Sequence, residues 1–312
     1  MAVSAFRDGE YVPLNEVTVS VQSHAFQYGT SVFEGIRGYW DTAASDLLLF
    51  RPDRHYARLH RSARFYGMTL PYSVDDLCDI TAELLVRDGV REDAYVRPVL
   101  FKDTNAIGVW RPDLTDSFVV FHVPMGKYLA DEAIRCCVST WRRPEGNAAP
   151  VRAKVGGLYA AMALARYEAM LQGFDEAITL TATGHVAEGT GENVFLVQDG
   201  RLVTPAAGED LLAGITRECV IELAEAELGL EVVERSVNRS ELYVSDEIFL
   251  VGTAAEVTPV AEVDRRLVGD GQTGPITADL KDLFSRVVRG RVAKYGHWCF
   301  PVRTQVPQAV RP

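Results

Sequence analysis

Lysine is scarce in this chain. Its 312 residues include 32 lysines and arginines, yet only Lys102, Lys127, Lys154, Lys281 and Lys294 are lysines. Lys154 stands in RAKVGGLY (residues 152–159), followed by two glycines and the apolar run LYAAMALARYEAML. A lysine leading into a core-like helix is costly unless it is paired, neutralised or used. Burial favours the neutral amine, which can form a Schiff base with a carbonyl. The competing reading is a lysine at the rim of a loop, reaching out to solvent. Gly156 and Gly157 let the backbone pass close to a ligand. Tyr159 follows, either as part of a site or as a core aromatic.

Three other groups of residues can do chemistry. In HVAEGTGENVF (185–195), Glu188 and Glu192 lie among small residues between apolar segments. The GTG is no dinucleotide fingerprint, because a strand pattern follows it and the third glycine is missing. The segment reads either as a polar hairpin or as a buried carboxylate facing a cation, such as a protonated pyridine nitrogen. In LLAGITRE (211–218), Gly214, Ile215 and Thr216 open an amphipathic helix, whose first N–H groups and dipole suit a phosphate. VGTAAE (251–256) is a second small-residue loop, and Arg54 is a cation available to complete a phosphate cup. Tyr95 and Arg97 are two apart on a strand pattern and share a face, as do Phe33, Gly35 and Arg37. Such an arginine binds a carboxylate, although Arg37 also reads as one half of a structural salt bridge. Arg54, Arg58 and Arg61 read as a solvated helix stripe, apart from Arg54 near the helix start. Lysine, carboxylate, phosphate cup and carboxylate-binding arginine are together what pyridoxal phosphate chemistry needs.

These residues need a scaffold. YVPLNEVTVSV, SVFEGIRGYW and DLLLFR read as strands. Asp53 is placed to cap a helix through RHYARLHRSARFYGM, and Ser73 to cap a second. AYVRPVLF, DSFVVFHVPM and IRCCVSTW are further strands. EAITLTATG, HVAEGTGENVFLVQDG and RLVTP read as consecutive strands, and ITRECVIELAEAELGL and ITADLKDLFSRVVRGRV as helices. The expected class is α/β with mixed α and β. Two domains are expected, a small N-terminal one over 1–121 and a large C-terminal one over 135–312, joined by a loop at 122–134. The formal charge of −11 argues against a nucleic-acid surface. No secretory signal, membrane span, metal-site spacing or disulfide pattern is apparent, which favours the cytoplasm.

From about residue 5 to 300 the chain resembles the branched-chain amino-acid aminotransferases of the fold-type IV (D-amino-acid-aminotransferase-like) family. The resemblance is carried by HAFQYGTSVFEGIR, FRPDRHYARLHRSA, YVRPVLF, AKVGGLYAAMALARYEAMLQGFDEAITL, GHVAEGTGENVFLV, LLAGITRE, VGTAAEVTPV and GPIT. It implies pyridoxal 5'-phosphate as cofactor, with Lys154 bonded to its aldehyde and acting as general base. Glu188 would pair with the pyridine nitrogen and Tyr159 with the phenolic oxygen. Arg54, Ile215, Thr216 and Thr253 would hold the phosphate, with Gly214 opening the helix and Leu212 under the ring. The substrate carboxylate would meet Tyr95 and the N–H groups of Thr253 and Ala254, supported by Arg97. Tyr28, Phe33, Gly35 and Tyr128 would line the side-chain pocket, and Arg37 is counted among the substrate-binding residues. The implied reaction moves an amino group from leucine, isoleucine or valine to 2-oxoglutarate, in a homodimer or larger homo-oligomer. One departure is Met125, where these enzymes often carry tryptophan, and it bears on substrate preference. The alternatives are a fold-type IV enzyme acting on a D-amino acid, an (R)-amine or a specialised amino acid, and an aminodeoxychorismate lyase. A non-catalytic cofactor-binding module is the alternative from another class.

Overall fold

The computed structural model describes residues 3–126 and 133–305. By contacts the chain forms two compact units, one of residues 1–126, 153–157 and 287–312, the other of 127–152 and 158–286. Lys154 and the closing segment therefore count with the first unit, whereas the sequence reading placed both in the 135–312 domain. Among the described residues no helix is long and apolar enough to cross a membrane.

The first unit is a sheet with helices. Its strands are β1 (Ser4–Arg7), β2 (Glu10–Pro13), β3 (Ser31–Phe33), β4 (Ile36–Asp41), β5 (Asp46–Phe50), β6 (Ala94–Lys102), β7 (Asp116–Pro124) and β16 (Cys299–Pro301). They run in the order β16-β5-β4-β6-β7-β1-β2, with β3 also on β6. The helices are α1 (His24–Tyr28), α2 (Pro52–Ala63), α3 (Val74–Arg87) and α7 (Val302–Gln305). Ser73 caps α3 in a reciprocal box with Asp76, as its position predicts. Helix α2 starts two residues earlier than expected. Arg51, in a left-handed conformation, precedes Pro52, and Asp53 lies inside the first turn.

Two expected strands are broken. YVPLNEVTVSV supplies only β2, then a 3-10 turn over Leu14–Glu16. SVFEGIRGYW becomes β3 and β4, both paired to β6 in one register, Phe33 opposite Val99 and Ile36 opposite Val96. The joint has a chemical cause. Glu34 N–H donates to Pro98 O at 2.9 Å, but Pro98 has no N–H to return, so the ladder lapses there.

The second unit carries β8 (Ile134–Arg142), β9 (Glu176–Leu180), β10 (Asn193–Gln198), β11 (Arg201–Pro205), β12 (Val232–Arg235), β13 (Glu247–Gly252), β14 (Glu256–Val263) and β15 (Arg266–Leu267). Their order is β12-β11-β10-β13-β14-β8-β9, with β15 on β14. Apolar residues of these strands, among them Ile178, Val194, Leu196, Ile248 and Val260, form one core cluster. Helices α4 (Tyr159–Leu171) and α5 (Ile215–Leu228) belong to this unit, as does most of α6 (Pro275–Val288). Helix α4 is less buried than its composition suggests. Ala165 and Ala169 pack with Cys137 and Ala177 of β8 and β9, but Leu164, Tyr167, Met170 and Leu171 are exposed. The strand expected over residues 185–200 starts only at Asn193, and the residues before it form a loop.

Candidate active site

The expected site residues fall into two groups, one in each unit. In the first unit, Lys154 is held by its backbone. Its N–H donates to Ser62 Oγ at 3.1 Å, and its carbonyl accepts from Phe33 N–H at 3.1 Å. Val155 bridges Val32, and Gly157 N–H donates to Gly29 O. A Cβ at Gly156 would lie 2.2 Å from Ser31 Oγ, so the two glycines let this segment lie tight against β3. The Lys154 amine is 5.1 Å from the Phe33 ring centroid, within cation–π range for its charged form.

Register brings the other residues of this group together. Tyr95 on β6 is directly opposite Arg37 on β4, and Arg97 shares the face of Tyr95. Arg97 Nη2 donates to the Tyr95 hydroxyl at 3.0 Å, and its guanidinium lies 4.5 Å from the Phe33 centroid. Arg37 is buried, donates to Gly126 O at 2.8 Å and approaches Asp93 at 3.9 Å. Tyr28 ends α1, and its hydroxyl accepts from Gly108 N–H at 2.9 Å. Arg54 is exposed in the first turn of α2. The arginine stripe on that helix is not all solvated, because Arg58 is buried. It donates to the Glu34 carboxylate through Nε at 2.7 Å and Nη2 at 2.9 Å. Tyr128, like Lys127, lies outside the described residues.

In the second unit the centre is Glu188, buried in the loop before β10. Arg143 Nη2 lies 2.9 Å from its Oε1. Leu212 N–H donates to its Oε2 at 3.1 Å, and Asn193 Nδ2 approaches the same oxygen at 3.4 Å. Asn193 also donates to Leu212 O at 3.0 Å. Arg143 and Asn193 were not singled out from sequence, although Asn193 lies within the GENVF stretch and Arg143 at the head of its Pro/Gly/Asn-rich loop. Asn193 ties Glu188 to the 212–216 segment, where Gly214 caps α5 without a side-chain hydrogen bond and Ile215 and Thr216 open the helix. A Cβ at Gly214 would lie 2.2 Å from Asn193 Oδ1. Thr253 and Ala254 form the turn between β13 and β14, and Gly252 before them packs on the carbonyl of Gly191. Tyr159 is the first residue of α4.

Glu192, the residue just before β10, behaves differently from Glu188. Burial and the neighbouring Glu176 charge push its carboxyl up to about 8, against the Gly191 N–H and the Arg166 charge. Arg166 is instead engaged with Glu176 at 2.6 Å.

The family model for amino-transferase class IV matches residues 31–263. The chain is a class IV aminotransferase. A probable branched-chain-amino-acid aminotransferase of Aquifex aeolicus is 44% identical to it over 299 residues, covering 96% of both chains. The crystal structure of a branched-chain aminotransferase from Thermoproteus uzoniensis with norvaline has a TM-score of 0.93 and 41% identity, covering 97% of this chain and 100% of that one. A branched-chain amino acid aminotransferase from Thermobaculum terrenum, crystallised in its PLP form, has a TM-score of 0.92 and 37% identity, covering 96% of this chain and 98% of its own. The fold of this aminotransferase is therefore fold-type IV.

The residues of this aminotransferase fit a phosphorylated pyridine aldehyde. A buried carboxylate beside an arginine stays ionised and accepts up to about four hydrogen bonds, which suits a protonated ring nitrogen. A 14-residue helix whose N-cap carries no capping side chain suits a phosphate.

Proposed function

We propose that this aminotransferase transfers the amino group of leucine, isoleucine or valine to 2-oxoglutarate, with pyridoxal 5'-phosphate as its cofactor. The observation that carries the reading is Glu188, a buried carboxylate kept in an ion pair with Arg143 and tied through Asn193 to the start of α5. When bound, the cofactor supplies an aldehyde that bonds amines and a cationic ring that draws electrons from the substrate Cα.

The chain's own groups do the rest. Lys154 would hold the cofactor through its aldehyde. Its amine, when free and neutral, would take the proton from the substrate Cα and later return it. Glu188 would keep the ring nitrogen protonated, Tyr159 would bond the phenolic oxygen, and Leu212 would pack against the ring. Arg54, Thr253 and the N–H groups of Ile215 and Thr216 would bind the phosphate. Tyr95, Thr253 and Ala254 bind the substrate carboxylate, with Arg97 orienting the Tyr95 hydroxyl. Phe33, Gly35 and Tyr28 would line the side-chain pocket, and Arg37 would support it through its bonds to Gly126 O and Asp93. Met125, half-buried with its N–H on Asp93 O, gives that pocket a flexible apolar wall.

We also read the enzyme as a cytoplasmic homodimer or larger homo-oligomer. Supporting this are the exposed apolar face of α4 and the exposed Ile107, Val109 and Trp110, more apolar surface than scattered single residues would give.

The test is the absorbance spectrum of the purified protein before and after L-leucine, with no acceptor present. A band above about 400 nm that collapses towards about 330 nm is the expected result. A band that leucine leaves untouched redirects the search to D-amino acids, amines and polar amino acids. No band after pyridoxal phosphate is added rejects the reading.

A further inference from the structure

The proposed chemistry uses Lys154 but does not account for a buried polar cluster in the same compact unit. Glu34, His55 and Arg58 are 0%, 1% and 6% exposed. The Glu34 carboxylate accepts from Arg58 Nε at 2.7 Å, from Arg58 Nη2 at 2.9 Å and from His55 Nδ1 at 2.8 Å. Three charged or polar side chains with almost no exposure are costly unless something requires them.

The cluster is built into the support of Lys154. His55, Arg58 and Ser62 follow one face of α2 at helical spacing. The stripe ends at Ser62 Oγ, which accepts the Lys154 N–H. On the other side, the Lys154 carbonyl accepts from Phe33, the residue immediately before Glu34. Glu34 and Lys154 are thus fastened to the same helix and the same short strand. The His55 ring feels the Lys154 charge, Glu34 and Arg58 are bonded to each other beside it, and Arg97, bonded to the Tyr95 hydroxyl, meets the same Phe33 ring as the Lys154 amine.

The charge states follow from the contacts. Burial would raise the Glu34 carboxyl, but the Arg58 charge and hydrogen bonds, with that of His55, hold it well below the usual carboxylate range. Burial lowers His55, and the charges of Arg58 and Lys154 add to this, against the pull of Glu34. His55 is then a neutral imidazole donating from Nδ1.

We propose that Glu34, His55 and Arg58 are positioning residues for Lys154, in which Arg58 balances the Glu34 carboxylate so that no uncompensated anion holds the lysine amine protonated. The proposal rests on the role given to Lys154 above. A general base must spend part of its cycle neutral, and a lone buried carboxylate nearby would favour the ammonium instead.

The experiment uses the full-length chain stripped of cofactor, with its lysine amines carrying 13C-methyl labels. Only five lysines give signals, and K154R assigns the one that matters. In the wild type, Lys154 is expected to titrate below the ordinary lysine value of about 10.4. In E34Q, which leaves the Arg58 charge unbalanced, the value is expected to fall further, by roughly one unit. A folded E34Q whose Lys154 titrates as in the wild type overturns the proposal. If E34Q does not fold, the wild type decides, because a Lys154 titrating at the ordinary value overturns it equally. Adding pyridoxal phosphate to unlabelled wild type separates the two readings. Failure to form a band above about 400 nm rejects the proposed function, whatever Lys154 does in the titration.

Discussion

The Tyr95 hydroxyl occupies the space where a side chain at Gly35 would begin. A Cβ there would lie 1.8 Å from the hydroxyl oxygen and 2.5 Å from the ring carbon that bears it. Gly35 follows the Glu34–Pro98 interruption of the ladder, so the tyrosine tip reaches over bare backbone. Its hydroxyl is there met by Arg97 at 3.0 Å. Gly35→Ala is therefore expected to displace Tyr95. Unfolding in urea should show a loss of roughly 1–3 kcal/mol, and KM for the amino acid should rise. A crystal structure of the variant with Tyr95 unmoved would contradict this.

Arg143 is expected to matter for stability as well as catalysis. It lies 2.9 Å from Glu188 and also donates from Nε to Asp210 O at 3.1 Å. Arg143→Gln leaves a buried carboxylate without its cation, a change that costs roughly 3 kcal/mol or more. Denaturant melts at neutral pH measure the loss. Cofactor retention on gel filtration should fall with it, because Glu188 loses a group that orients it.

Glu192 should make the fold less stable as pH rises. Its carboxyl is pushed up to about 8 by burial and by Glu176. A raised folded value means the contribution is fully present below the ordinary carboxylate value. It is lost as pH climbs through about 8, because the unfolded chain gives up that proton more readily. Glu192→Gln mimics the protonated acid and keeps an oxygen for the Gly191 N–H. The variant should match the wild type near pH 5 and exceed it by ~1 kcal/mol or more at pH 8.5. Melting curves at the two pH values check the difference, and equal gains at both would refute the titration.

Gly214→Ala should weaken cofactor binding without unfolding the protein. The new methyl would meet Asn193 Oδ1 at 2.2 Å. Moving Asn193 loosens the link between Glu188 and the 212–216 segment, where the phosphate is proposed to sit. The dissociation constant for pyridoxal phosphate, measured by absorbance titration, is expected to rise on the order of tenfold, about the effect of one hydrogen bond near 1.4 kcal/mol.

The sequence made some parts legible because their signals are local. Ser73 and Asp76 are three apart, so a capping box can be read from spacing alone. The face shared by Tyr95 and Arg97 follows from strand alternation. Lys154 stood out through scarcity and through the glycines beside it. Other readings failed where the partner is distant. Arg58 looked solvated because nothing within its helix shows that Glu34, 24 residues earlier, is buried against it. Helix α4 looked like a core helix because composition does not say which side is covered. The strand expected at 31–40 broke at Glu34 because Pro98, on another strand, has no N–H to offer.

The sequence by itself therefore determined which chemical groups this aminotransferase has and how they recur along the chain. It carries one lysine among glycines, a carboxylate in a small-residue loop, and a helix that opens on Gly-Ile-Thr. Only the tertiary structure decided which of those groups are paired. Arg143 and Glu188 lie 45 residues apart in the sequence and 2.9 Å apart in the fold, and the same closure brings His55 and Arg58 onto Glu34. The reason is physical. Helical and strand spacing are set by a few neighbouring bonds, whereas a buried ion pair exists only after the chain closes and water is excluded from both partners.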